Sequence, residues 1–258
     1  MYDDRLFMGV ILLTNDDGFD ALGFQSLYRE LAKSYDVFAV APRSQQSGSS
    51  HSLTLRRPIR VEKVRDRFFT IDGTPTDCVL LAYHDLIKTE IDMVVAGINH
   101  GPNMGSDVFY SGTVAAALQG ASFGIRSVAI SLSAQEFNDF SHAAQYSHDI
   151  VKRLLRAHLE PIVLNINIPE KKQKGEKITK LGKRIYHDKV IRNSEEKNVM
   201  YSVIEGTLSY QVAADTDFKA VEENYVSITP LKLDLTDYDI FANIHKYLIY
   251  SAKAREDK

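Results

Sequence analysis

Asn15-Asp16-Asp17-Gly18 sets two carboxylates side by side, directly after a short apolar run that ends at Thr14. Adjacent carboxylates repel each other, so a folded site that holds both is stabilised by a cation. Carboxylate, hydroxyl and amide oxygens suit Mg2+ or Mn2+. Asn, Asp and Gly are also common turn residues, so the tetrapeptide alone fits an ordinary turn as well. Three further stretches carry related chemistry. Ser47-Gly48-Ser49-Ser50 offers hydroxyls to a metal or backbone N–H groups to an anion, or is a plain surface loop. Gly97-Ile98-Asn99-His100-Gly101-Pro102-Asn103-Met104-Gly105 is a shaped backbone, with the Asn99 amide just past a strand end. Tyr110-Ser111-Gly112-Thr113 opens a small-residue helix, where unpaired N–H groups bind phosphate and Ser111 also reads as a simple cap.

Other chemistries lack their residues. The 8 histidines form no HExxH pair, and there is no Walker A run, GxGxxG fingerprint or Gly-x-Ser-x-Gly elbow. A dehalogenase-type phosphatase needs Asp-x-Asp, whereas Asp16 and Asp17 are adjacent. Cys78 sits in an apolar helical stretch and reads as a buried small hydrophobe.

The elements that position these loops follow from periodicity. Residues 9–14, 35–41, 91–96, 127–133 and 162–168 are short apolar runs typical of buried strands. Phe24, Leu27, Tyr28 and Leu31 share one helix face, and 140–158 forms a long amphipathic helix. Thr74-Pro75-Thr76-Asp77 is a helix start, with a Thr cap, Pro in the first helical position and an acid two residues later; that helix is expected to reach about 84–87. Residues 55–64 and 68–71 read as strands. Strand–helix alternation predicts an α/β, Rossmann-like, mostly parallel sheet with helices on both faces. In such a sheet, ligands bind in the crevice at the carboxyl ends of the strands.

The character changes at Glu170. Between Lys171 and Arg192 there are nine Lys or Arg against two acids, followed by β-type residues to Val212. This predicts a projecting β-hairpin arm turning near Gly206. Residues 226–231 form a last strand, and Ile240, Phe241, Ile244, Tyr247 and Leu248 define one face of a tail helix. The expected organisation is a catalytic core over 1–169, an arm over 170–225, and a final strand with a C-terminal helix over 226–258.

At 258 residues the chain buries a core without disulfides or structural metal. A net charge of −3 points to neither nucleic acid nor membrane, and no apolar run is long enough to span a bilayer. With one cysteine, no intrachain disulfide forms, and the cytoplasm is the expected location.

Taken together, the loops resemble the SurE family, the survival-protein-E nucleotidases. The resemblance rests on residues 14–18, Ala41-Pro42 with Ser47-Gly48, residues 73–79, residues 97–105 with Asp107, residues 110–117, Asp215-Thr216-Asp217-Phe218 and residues 226–231. It implies a metal-dependent hydrolase of nucleoside 5′- and 3′-monophosphates; some members also act on polyphosphate. It further implies one divalent ion, Mg2+ or Mn2+, per subunit, held by Asp16, Asp17, Ser47 and Asn99. Asp16 and Asp17 would be catalytic, and Asn103, Ser111, Gly112 and Thr113 would line the phosphate. The family pattern implies a homodimer or tetramer with an exchanged C-terminal segment. Residues 19–23 and Gln119 depart from the family's usual pattern. The alternative is a nucleotide-binding module without catalysis.

Overall fold

Ile11 and Leu13 face one side of the first strand and Leu12 the other, and all three are fully buried. Only a strand covered on both faces does this, so the apolar run must lie in the middle of a helix-clad sheet. The computed structural model shows that sheet; it describes residues 9–134, 136, 138–157, 160–196, 199–211 and 213–248. The strand expected over 9–14 runs from Val10 to Thr14.

The core runs β1 (Val10–Thr14), α1 (Leu22–Leu31), β2 (Asp36–Pro42), β3 (Val61–Arg65), β4 (Phe68–Ile71), α2 (Pro75–Leu81), β5 (Met93–His100), α3 (Gly112–Ser122), β6 (Arg126–Ser133), α4 (Ser141–Arg156) and β7 (Val163–Pro169). Then come β8 (Glu176–Ile178), β9 (Arg184–Glu196), β10 (Val199–Tyr210), α5 (Asp217–Glu222), β11 (Val226–Leu231), α6 (Tyr238–Phe241) and α7 (His245–Leu248). The main sheet has the order β3-β4-β2-β1-β5-β6-β7-β11-β8. From β4 to β7 neighbouring strands are parallel, while β3 and β11 pair antiparallel with β4 and β7. Strand order reverses between β1 and β5, which opens a crevice at their carboxyl ends.

α1 and α4 cover one face, packing Phe24, Leu27, Leu31, Ile150 and Val151 on Ile11, Leu13 and Val95. α2 and α3 cover the other, with Cys78, Val79, Ala116 and Ala117 against Leu12, Val94 and Ala96. α2 starts as expected: the Thr74 hydroxyl accepts from Asp77 N, and the Asp77 carboxylate accepts from Thr74 N at 2.8 Å. It ends early, because a single π-type turn over Ala82–Leu86 completes the stretch expected to be helical.

Of the 170–225 segment, β8 joins the main sheet, and the two-stranded ribbon takes up β9 and β10. Val199 pairs with Glu196 at the end of the ribbon, and the expected turn near Gly206 is not there: Gly206 pairs with Asp188 inside it. A lone glycine does not break an exposed ribbon. The tail forms two single-turn helices, α6 and α7, in place of one. Among the described residues, no helix is long and apolar enough to cross a membrane.

Gly23 fixes how closely α1 approaches β5. A Cβ there would sit 2.2 Å from the Ile98 carbonyl oxygen and 2.9 Å from the Phe140 ring. Alanine's helix preference gains about 1 kcal/mol, but a clash with backbone cannot be relieved by a side-chain rotation, and overpacking costs about 1–3 kcal/mol. Gly23→Ala is expected to lower the unfolding free energy by about 1–2 kcal/mol in a urea titration. An unchanged midpoint would mean that α1 lifts away at no cost.

Candidate active site

β1 ends in residues that no exposed turn would bury. Thr14 and Asn15 are fully buried and Asp16 is 4% exposed. The Asn15 amide donates to Gly18 O at 2.8 Å and closes the turn, with Gly18 at φ +99°. Gln46 N donates to Asp16 O at 2.7 Å, which brings the Ser47 loop onto the end of β1. That loop is pinned at its far end by Thr54 N, which donates to the Asp77 carboxylate at 2.9 Å.

Three of the predicted residues converge through one hydroxyl. Thr113, fully buried in the first turn of α3, donates to the Asp16 carboxylate, and its oxygen lies 3.3 Å from Asn99 Oδ1. Asn99 Nδ2 is held by Gly101 O at 2.7 Å, which turns its carbonyl oxygen toward Thr113. Asp17 accepts from His100 N at 2.9 Å. The loop after β1, the last residues of β5 and the start of α3 therefore share one crevice; Asn99 lies inside the end of β5, not past it.

Gly112 makes this approach possible. A Cβ on it would lie 2.9 Å from Asp16 Cβ and 2.7 Å from Ser49 Oγ. Ser111 caps α3, its hydroxyl accepting from Val114 N at 3.1 Å. The helix start thus presents its first N–H groups beside Asp16.

Ser47 and Asn103 are engaged differently. Ser47 is exposed and its hydroxyl accepts from Gln45 at 2.9 Å; no hydrogen bond joins it to Asp16, Asp17 or Asn99. Asn103 is an anchor: its Nδ2 donates to Ser131 at 2.9 Å, its N–H to Asn167 at 2.8 Å, and its carbonyl accepts from Asn165 at 2.7 Å and Asn167 at 3.0 Å. Sequence reasoning missed Asn165 and Asn167. Their signal was two amides alternating within the otherwise apolar β7. Within the loop over 47–50, sequence reasoning singled out Ser47, whereas the hydroxyl of Ser49 is the buried one, has no hydrogen-bond partner and lies beside Gly112 and Asp16.

The electrostatics follow from burial. Asp16 is pushed up to about 6, chiefly because burial penalises its charge; the neighbouring Asp17 adds to this, while hydrogen bonding from Thr113 pulls it down. Asp17 is raised by burial too, partly offset by the N–H of His100. None of the Lys or Arg ion pairs among the described residues involves either carboxylate. Two acidic groups beside an amide oxygen and a hydroxyl form a hard-oxygen donor set, which fits a small divalent cation. No cluster of three or more His, Cys, Asp or Glu forms among the described residues, so a nitrogen- or sulfur-rich centre does not compete. The Cys78 thiol is fully buried and pushed up by burial, as suits an inert core group.

The sequence profile described as Survival protein SurE matches residues 11–188, which contain this whole crevice. The chain belongs to the SurE family. A protein named 5′-nucleotidase SurE from Desulfitobacterium hafniense (strain DSM 10664 / DCB-2) is 46% identical over 235 residues, covering 88% of this chain and 92% of that one. Its namesake from Methylobacillus flagellatus is 43% identical over 243 residues, covering 92% and 98%. The crystal structure of the SurE protein from Aquifex aeolicus superposes with a TM-score of 0.83 at 38% identity, covering 92% of this chain and 99% of that one. The SurE fold is thus present over nearly the whole chain.

Gly112→Ala tests whether the close packing at the start of α3 matters. The added methyl displaces Asp16 or Ser49, and misplacement by about 1 Å costs on the order of 100-fold in rate. Phosphate release by the variant is expected to fall by about 10–100-fold, with the circular-dichroism melt nearly unchanged. Wild-type turnover would show that the approach is incidental.

Proposed function

We propose that this chain is a phosphoric monoester hydrolase that removes phosphate from nucleoside 5′- and 3′-monophosphates with the aid of one divalent cation, Mg2+ or Mn2+, and that polyphosphate is a further substrate. The observation that carries the reading is the meeting, through Thr113, of a helix N-terminus with two adjacent carboxylates, Asp16 buried and Asp17 half-buried, neither in a Lys or Arg ion pair among the described residues. A cation site and an anion site in one crevice suit phosphate ester chemistry. The relatives named 5′-nucleotidase support the nucleotide as substrate.

Asp16, Asp17 and Asn99 would hold the cation, with Ser47 contributing from the loop that rests on Asp16. A divalent ion bound there supplies Lewis acidity toward a phosphoryl oxygen. The chain does the rest. The Thr113 hydroxyl fixes the Asp16 carboxylate and holds it against Asn99. Ser111, Gly112 and Thr113 direct main-chain N–H groups at the phosphate and stabilise negative charge as it builds in the transition state. Asn103 keeps the glycine-rich loop fastened to β6 and β7, so the cradle is preorganised. Asp16 accepts the proton of the water that attacks phosphorus.

The exposed apolar residues of the ribbon and tail support a homodimer or tetramer built through them. Val190 is 70%, Ile204 76% and Tyr247 82% exposed. We place the protein in the cytoplasm, where its single thiol stays reduced.

Asp16→Asn is expected to cut turnover of nucleoside monophosphates by at least about 1,000-fold while the fold persists. The check is phosphate release from a panel of esters, with chelator and then with Mg2+ or Mn2+ restored. Activity within a few-fold of wild type would place the chemistry elsewhere. In a thermal melt, Mn2+ should raise the midpoint of the wild type but not of Asp16→Asn. Because that substitution removes one of two adjacent repelling charges, the metal-free variant should melt no lower than the metal-free wild type. Sedimentation velocity is expected to show at least two copies per particle, and a monomer at micromolar concentration would remove the assembly reading.

A further inference from the structure

The segment that leads into the phosphate cradle is held from outside the core. Residues Gly105–Phe109 form a short 3-10 turn, and Tyr110 and the Ser111 cap follow directly. Within the turn, Asp107 O accepts from Tyr110 N at 2.9 Å. The Asp107 carboxylate pairs with Arg184 Nη2 at 2.7 Å and accepts from the Tyr186 hydroxyl, and both partners lie on β9, at the root of the ribbon. The Asp107 and Arg184 side chains are 21% and 12% exposed, so the pair is largely shielded from solvent.

A second tie reaches the same turn. The fully buried Asp217 carboxylate accepts from Gly105 N at 2.7 Å and from Gly182 N at 2.8 Å, joining the first residue of the turn to the chain entering β9. The Arg184 guanidinium lies 5.0 Å from the centre of the Phe218 ring, on which Tyr210 of β10 stacks at 4.8 Å. Both strands of the ribbon therefore grip one aromatic ring beside the turn.

We infer that Asp107 is a positioning residue for the phosphate cradle, and that Arg184 and Tyr186 of the ribbon hold it in place. The reasoning is geometric. The glycine-rich loop is fastened to β6 and β7 through Asn103, but the three residues between Asp107 and Ser111 leave the cradle's entry set by the Asp107 tie. Asp16 and Asp17 lie after β1 and Asn99 at the end of β5, outside the Asp107 turn, and they meet the cradle through the Thr113 hydroxyl, six residues beyond Asp107. The ribbon thus acts on the chemistry through phosphate placement and not through the metal. This rests on the phosphatase reading above.

The test uses full-length Asp107→Asn, Arg184→Met, the double variant and Tyr186→Phe, with Lys189→Met on the exposed part of β9 as control. The readouts are kcat and KM on a nucleoside 5′-monophosphate, affinity for inorganic phosphate by calorimetry in the presence of Mn2+, and the Mn2+-induced thermal shift. Asp107→Asn and Arg184→Met should each lower kcat by about tenfold or more, weaken phosphate binding in parallel and keep the Mn2+ shift. The double variant should lose no more than the worse single, as expected for two halves of one tie. Tyr186→Phe should lose about threefold, and it decides the matter should the charge variants fail to fold. Lys189→Met should match wild type. Variants with kcat and phosphate affinity within twofold of wild type would overturn the inference, as would loss of the Mn2+ shift along with turnover. If wild type releases phosphate from no ester, the phosphatase reading fails, while phosphate affinity still decides the role of Asp107.

Discussion

Two carboxylates one residue apart at the end of a buried strand repel each other, and the surrounding structure is arranged to hold them there. Water would screen that repulsion on an exposed turn, but Asp16 is almost wholly buried. Burial raises both acids, and no lysine or arginine among the described residues pairs with them. What meets them is a set of weaker dipoles: a threonine hydroxyl, an N–H from His100 and the start of a helix. Such an arrangement leaves a deficit of positive charge at one point. A divalent ion fills that deficit, and a phosphate then finds both a cation and N–H donors.

The fold supplies closeness more than chemistry. Strand order reverses between β1 and β5, so the loops leaving them splay apart and open a crevice. Small residues then let backbone reach it. Gly112 admits Asp16 and Ser49 to the first turn of α3, and Gly23 seats α1 against Ile98. α3 itself presents Ala116 and Ala117 to the sheet, and these bring its start close to β1 and β5.

Much of this was legible in the sequence, for identifiable reasons. The apolar runs of β1, β2, β5, β6 and β7 are unbroken because both faces are buried, and their ends fall within a few residues of the expected limits. Asp16, Asp17, Asn99 and Thr113 stood out because polar groups directly after buried strands or at a helix start have few structural uses. Other features were hidden by context. Asn165 and Asn167 lie inside a strand, where periodicity sees only a polar interruption, and their partner Asn103 is 62 and 64 residues away. Ser49 looked no different from the other serines of its loop. The ribbon's turn was misplaced because glycine signals a turn only where backbone requires it, and within an exposed ribbon nothing does. Asp217 was visible as part of a family motif, but its bonds to Gly105 and Gly182 span distances that no local pattern encodes.

The ribbon has a consequence for how the chain survives between synthesis and assembly. A two-stranded sheet leaves each strand with one unsatisfied edge, and here Val190, Tyr201 and Ile204 are bare on it. Such an edge is a template for indiscriminate strand addition and aggregation. The cations that crowd the same stretch, among them Lys183, Lys189 and Arg192, act as gatekeepers: like charges oppose the stacking of one ribbon on another in an uncontrolled register. The basic composition of the arm is therefore understandable as protection for a nascent subunit, independent of any attraction for an anionic substrate.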